Sequence, residues 1–430
     1  MKKKISAVKI FVILFMSLSS IRVQAQNDLK QGNDSLLTIC KKFYNEGLYR
    51  NAIDVYKETA FEKLSAEESF YLGLSFNNFR GILKAAQYFK RAVDLAPAHN
   101  GYKLNLARTH SQLGKTNEAV SNYEMILESD SNNVAALYEV GLIYFDKREY
   151  AKTIKIFDRL VMLNNNDFLS NYYLGYAMLL SPNPLLAEKA MNYLQRAVSF
   201  NSEYVPAVSL LASQNFSLQK YYQANSLYSI ARKLRPENAD FNYRSGMCYE
   251  RLKLFQEATN LYSKACELDS NDANYFDHLG FSFFNLAKYD SAASAYKTAA
   301  TLDDNPTYYV NLGFAYARMD SVTKSVESFQ KAVQLLRLDK IGYIYNQIGA
   351  VHYSKQNLKP AKAAYEKSLV YNPGNIDAQF YIAMIYEKFL DWRNASLAYR
   401  KVIELAGDDS ARTERKEYSQ KRIKELKRRY

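Results

Sequence analysis

A small residue followed three positions later by an aromatic one recurs along this chain at a nearly constant interval. Gly73 precedes Phe76, Gly141 precedes Tyr144, Gly246 precedes Tyr249, Gly280 precedes Phe283 and Gly313 precedes Tyr316. The steps from Ala107 to Gly141 to Gly175, and from Ala212 to Gly246 to Gly280, are each 34 residues. Such a period predicts a stack of helical hairpins in which each unit buries its apolar face on its neighbours. Apolar residues spaced by three and four throughout argue for amphipathic helices and against strands.

The residue types have physical reasons. Glycine or alanine on a first helix lets its backbone approach the second closely, and Ala85, Ala224, Ala258, Ala292, Ala361 and Ala395 supply the matching small surface. Large aromatics then fill the space between hairpins, each burying roughly 150–250 Å². Pro97, Pro236 and Pro373 follow second helices, where proline ends a helix and sets the turn. Thr153 and Ser325 stand where alanine is expected, which predicts slightly looser crossings there. Between Gly175 and Ala190 the turn cluster Ser181-Pro182-Asn183-Pro184 lengthens one hairpin loop, as a surface insertion or a projecting contact loop.

This pattern resembles the tetratricopeptide repeat family over residues 33–409. In the stretch from Glu67 to Pro97, Leu72, Gly73, Phe76, Ala85, Phe89 and Ala92 occupy the family's motif positions. Leu211, Ala212, Ala224, Tyr228 and Ala231 do so before Pro236, and Ile348, Gly349, Ala361 and Tyr365 before Pro373, with Ser368 in place of an alanine. The resemblance implies an all-α, right-handed superhelical solenoid of about eleven hairpins. Residues 410–430, read as a basic helix, would cap it, with Tyr418, Ile423 and Leu426 facing the last hairpin.

The two ends differ from the array. Lys2, Lys3 and Lys4 precede an apolar run from Ile10 to Leu18, and Val23-Gln24-Ala25 offers a cleavage site. Residues 1–25 therefore read as a signal peptide, with 26–32 as a short polar lead-in. The apolar run is shorter than the roughly 20 residues of a spanning helix. Export to the periplasm is the expected localisation, alternatively the periplasmic face of the outer membrane through a partner. Removing Lys2, Lys3, Lys4, Lys9 and Arg22 lowers the formal charge from +13 to +8, and the tail from Asp408 holds +4 of that. The near-neutral repeats argue against a nucleic-acid groove. Cys40 occupies the small-residue position of the first hairpin. Cys248 and Cys266 lie on two helices of one hairpin, where spacing leaves a disulfide open.

Little catalytic chemistry is legible. His99, His110, His278 and His352 are widely separated, no cysteine pair has zinc spacing, and no phosphate loop or nucleophile elbow occurs. No enzyme activity, cofactor or metal is expected. Binding is, because the resemblance implies that first-helix residues line a concave groove. Carried onto this chain, the groove positions are Arg108, Tyr138, Tyr172, Tyr173, Tyr176, Phe216, Tyr243, Arg244, Phe281, Phe284, Asn311 and Phe314. Aromatics and arginine dominate many interfaces.

Two ligand modes of the family do not fit. The terminal-carboxylate clamp needs an asparagine where this chain has Leu74, Leu142, Tyr176, Met247 or Phe281, and an asparagine ladder is interrupted by Tyr71, Glu139, Tyr173 and Leu210. The expected function is a non-enzymatic scaffold that holds a protein or peptide partner in bacterial envelope assembly. The alternatives are a carbohydrate-binding groove and a regulatory subunit of an envelope enzyme.

Overall fold

The computed structural model describes residues 35–336, 338–407 and 413–427. The expected signal segment and lead-in lie outside the described residues. Among the described residues there is no strand, and 23 α-helices follow one another as eleven hairpins and a final helix.

The chain divides into two compact units, with the boundary after Asn201. In the first, hairpin one pairs α1 (Leu36–Asn45) with α2 (Tyr49–Asp54), and hairpin two α3 (Ala66–Asn78) with α4 (Ile82–Leu95). Hairpin three pairs α5 (Asn100–Gln112) with α6 (Thr116–Ser129), and hairpin four α7 (Val134–Asp146) with α8 (Tyr150–Leu163). Hairpin five pairs α9 (Phe168–Leu180) with α10 (Ala187–Phe200) through a 3-10 turn at Pro184–Leu186.

The second unit begins with hairpin six, α11 (Val205–Ser217) and α12 (Tyr221–Leu234), and hairpin seven, α13 (Ala239–Arg251) and α14 (Phe255–Leu268). Hairpin eight joins α15 (Ala273–Asn285) to α16 (Tyr289–Leu302), and hairpin nine α17 (Pro306–Arg318) to α18 (Val322–Leu335). Hairpin ten joins α19 (Leu338–Ser354) to α20 (Leu358–Tyr371), and hairpin eleven α21 (Ile376–Lys388) to α22 (Trp392–Ala406). The last helix is α23 (Thr413–Leu426). Within each unit every first helix packs on the second helix of the hairpin before it, the nearest-neighbour arrangement of an all-α repeat array.

The first helices start on side-chain caps. Asn133, Asp167, Asn238, Asp272, Asn305 and Asn375 each accept a backbone N–H from the turn that follows, and Ser65 and Glu68 form a reciprocal capping box. They end on a recurrent turn. In ten hairpins the second residue after the first helix is left-handed, and the next N–H bonds five residues back, as in Gly81 to Phe76, Lys288 to Phe283 and Asp391 to Tyr386. Glycine supplies that conformation only at Gly47 and Gly114. Elsewhere Arg80, Arg148, Gln219, Lys253, Ala287, Asp320, Gln356 and Leu390 hold φ between 57° and 61°.

Seven of the eleven hairpin cores are built on a first-helix glycine. A Cβ at Gly73, Gly246, Gly280, Gly313 or Gly349 would lie 2.6–2.8 Å from a ring carbon of Phe89, Tyr262, Tyr296, Phe329 or Tyr365. These rings therefore sit on the first helix of their own hairpin, not solely between hairpins as expected. Thr153 and Ser325 are both buried, and their hydroxyls donate to the carbonyls of Glu149 (3.2 Å) and Gly313 (2.9 Å). Cys40, Cys248 and Cys266 are free and buried, so no bridge joins α13 and α14. Burial pushes each thiol up to about 12.

The last helix docks through Leu426, which is buried, Ile423, and Tyr418 packed edge-on to Phe380 at 5.3 Å. Arg415 pairs with Asp377 at 2.9 Å and Arg422 with Glu387. It packs chiefly on α22, taking the place a further first helix would occupy.

Candidate functional site

The first-helix wall has a different character in each unit. In hairpins four and five it is a column of rings. Tyr173 lies 5.2 Å from Phe157 and 5.5 Å from Phe145, Tyr176 lies 5.2 Å from Phe145 and 5.7 Å from Tyr172, and Tyr138 sits 5.9 Å from Phe157. Tyr173 stacks on Phe157 and the other pairs are tilted or edge-on, all favourable aromatic geometries. Tyr172 is only 8% exposed, so this predicted groove residue serves packing; its neighbours Tyr173 and Tyr176 cover it. Tyr138, Tyr173 and Tyr176 are partly exposed. Arg108 is exposed at its helix but spent on Glu139, 2.9 Å away on the next hairpin.

In hairpins seven to nine the same positions form a polar knot. Glu250, its side chain 10% exposed, accepts the Tyr262 hydroxyl at 2.9 Å, and its Oε2 lies 2.8 Å from His278 Nδ1. The tautomer with a proton on Nδ1 makes that contact a hydrogen bond. Burial and the Glu250 carboxylate push the Tyr262 hydroxyl well above the usual tyrosine range. Tyr243 packs against Tyr275 at 4.9 Å and edge-on to His278 at 5.2 Å. One hairpin further, Asn311 Nδ2 donates to Asp277 Oδ1 at 2.9 Å. Burial raises the Asp277 carboxyl above its ordinary range, and the Asn311 bond opposes this.

The remaining predicted residues scatter along the same wall. Arg244 is exposed and paired with Asp240 at 2.6 Å on its own helix. Phe216 and Phe284 lean edge-on against Tyr221 and Tyr289 at the turns of their hairpins, and Phe314 against Phe329. Phe281 is the predicted aromatic left most open, at 41% exposure.

Sequence reasoning missed a second contribution to this wall, made from beneath. Tyr262 belongs to a second helix, yet its hydroxyl emerges beside Glu250 of its own hairpin and His278 of the next. The corresponding tyrosines, Tyr123, Tyr228, Tyr296, Tyr365 and Tyr399, are equally buried. The relation repeats in part: Tyr228 feels Arg244 and Tyr296 feels Asp277, whereas among the described residues the hydroxyls of Tyr123, Tyr365 and Tyr399 have no hydrogen-bond partner. Phe89, Phe157 and Phe329 replace the hydroxyl in hairpins two, four and nine. The signal was present as a choice of Tyr or Phe at one repeat position.

Among the described residues no group of three or more His, Cys, Asp or Glu could hold a metal ion. No helix among them is long and apolar enough to cross a membrane.

Sequence profiles of the tetratricopeptide repeat match residues 104–168, 211–273, 306–335, 342–375 and 377–408. With the hairpins, their glycine crossings and these matches, the chain belongs to the tetratricopeptide repeat family. Over 211 residues it is 25% identical to lipopolysaccharide assembly protein B of Haemophilus influenzae, a match covering 46% of this chain and 52% of that protein. The chain thus spans about half the length of the curated relative it matches. Among solved structures, YrrB, a TPR protein with an unusual peptide-binding site, is 23% identical with a TM-score of 0.39, over 43% of this chain and 94% of YrrB. MamA is 25% identical with a TM-score of 0.37, over 41% of this chain and 94% of MamA.

Proposed function

We propose that this protein is an exported, non-enzymatic adaptor that holds a segment of a partner protein along its first-helix wall, in assembly of the bacterial envelope. The observation that carries the reading is the exposed ring of Phe281 on that wall, with the partly open side chains of His278 and Phe284 three residues to either side on the same helix. An aromatic group half in water beside oriented polar groups is the composition of an interface anchor. Tyr173 and Tyr176 offer a second such surface in the first unit, and Tyr172, being buried, does not. The envelope assignment is supported by the amino-terminal signal pattern and by the similarity to lipopolysaccharide assembly protein B.

Affinity purification from envelope fractions tests the reading. Wild-type bait is expected to recover a partner that Phe281→Ala with Tyr176→Ala loses, while the melting profile is unchanged. A partner retained at full yield by that double variant removes the wall from the account. Selective binding to polysaccharide in a glycan array, with no protein partner, would favour a carbohydrate-binding role instead.

A further inference from the structure

A cleft of about 580 Å³ lies chiefly between the second helices α6 and α8 of hairpins three and four, with Leu137 and Tyr144 of the first helix α7 completing its lining. Leu127, Leu137 and Ile156 line it, and Met162, 77% exposed, forms a lip. A large apolar side chain held this far in water is a usual mark of an interaction surface when it borders an apolar recess.

Two cations stand on the rim. Arg159 is aimed by neutral partners: Nε donates to Asn132 Oδ1 at 3.0 Å and Nη2 to Ser131 Oγ at 2.9 Å. These bonds orient the guanidinium without neutralising it. Lys155 is exposed about one turn away, and among the described residues neither cation makes an ion pair. The other charged groups are engaged differently. Lys152 pairs with Glu149 at 2.7 Å, and Glu124 accepts the Tyr144 hydroxyl at 2.8 Å; Asp158 also borders the cleft.

We propose that this cleft docks a segment of a partner protein that carries a carboxylate next to a large aliphatic side chain. The aliphatic group fills the recess under Met162, and the carboxylate meets Arg159 and Lys155. A guanidinium fixed in orientation suits the planar two-oxygen geometry of a carboxylate. Two cations beside an apolar recess suit a bilayer less, because membrane attraction sums over clusters of several basic residues. The site is separate from the first-helix wall and does not depend on it.

Selection of a random phage-displayed peptide library on the immobilised full chain tests this. The selected peptides are then measured by fluorescence anisotropy against wild type, Lys155→Glu, Met162→Asp and Phe281→Ala. Both cleft substitutions fall on exposed side chains, and a thermal melt checks that they fold. The expected result is a peptide class enriched in Asp or Glu beside Leu, Ile or Met. Its affinity falls at least about tenfold with Lys155→Glu, falls with Met162→Asp, and is unchanged by Phe281→Ala. Absence of that class, or binding by both cleft variants as tight as by wild type, overturns the proposal. Flotation with phosphatidylglycerol vesicles that depends on Lys155 and Met162, without an acidic peptide class, assigns the cleft to lipid and overturns it too. Loss of peptide binding only in Phe281→Ala would place the peptides on the first-helix wall and not in the cleft.

Discussion

Hairpins four and five carry rings on their first helices where hairpins seven to nine carry a hydrogen-bonded set of Glu250, His278, Asp277 and Asn311. The backbones beneath are equivalent: both stretches place a glycine against a large side chain, Gly141 on Phe157 and Gly246 on Tyr262. The difference lies in what that side chain presents upward. Phe157 ends in carbon and joins the aromatic column, whereas Tyr262 ends in a hydroxyl that fixes Glu250. The hydroxyl at this repeat position thus gives Glu250 an anchor that a phenylalanine cannot supply.

The largest test of this contrast uses the two glycines. Overpacking a tight crossing costs about 1–3 kcal/mol. Gly246→Ala displaces a ring that also holds Glu250, so it is expected to lower stability more than Gly141→Ala, which displaces carbon alone. Denaturant unfolding with local hydrogen exchange measures both, since an array need not unfold in one step. Equal losses would break the comparison.

Next in size, Glu250→Ala leaves the Tyr262 hydroxyl and His278 without their shared acceptor and is expected to cost about 2 kcal/mol. Tyr176→Phe in the ring column is expected to change stability by less than about 0.5 kcal/mol. A matching loss in both would mean the polar contacts add nothing beyond packing.

The turns provide a smaller contrast of the same kind. Hairpin three meets the left-handed turn with Gly114, and hairpin eleven meets it with Leu390, 66% exposed at φ 60°. Leu390→Gly is expected to gain about 1 kcal/mol by removing the Cβ clash, less the added freedom of the unfolded chain. Thermal melts should show an upward shift, and a downward one would mean the leucine side chain contributes packing that outweighs its backbone.

The smallest expected effect concerns a hydroxyl without a partner. Tyr365 is fully buried and its oxygen has no hydrogen-bond partner, unlike that of Tyr262. Tyr365→Phe is therefore expected to be neutral or slightly stabilising, and Tyr262→Phe destabilising by about 1 kcal/mol. Asp277 adds a pH dependence. Because burial raises its carboxyl in the fold, its favourable contribution is complete below the unfolded carboxylate value and is lost as pH rises through the folded one. Asp277→Asn should flatten that part of the stability profile, and an unchanged slope would show the carboxyl to be solvated.

Much of this was legible from residue types. The small residues and the 34-residue interval placed the hairpins, because close helix crossing tolerates little else. Cys40 was correctly read as a buried small residue. The turns were less visible, since eight of the ten left-handed positions carry no glycine and the five-back hydrogen bond recurs without a sequence marker. On the wall, position within the repeat identified the first helix but not the fate of each side chain. Tyr172 was lost to its own neighbours, and Arg108 and Asn311 to partners on adjacent hairpins. Those outcomes depend on contacts between repeats about 34 residues apart, which single-repeat periodicity does not encode. The Tyr262–Glu250–His278 set was missed for the same reason.

Hydrogen exchange of the full chain, alone and with a partner recovered from envelope fractions, addresses the binding wall most directly. Protection gained along α15 and α9, the helices of Phe281 and Tyr176, is the expected result. Protection confined to second helices, with the first helices unchanged, would contradict it.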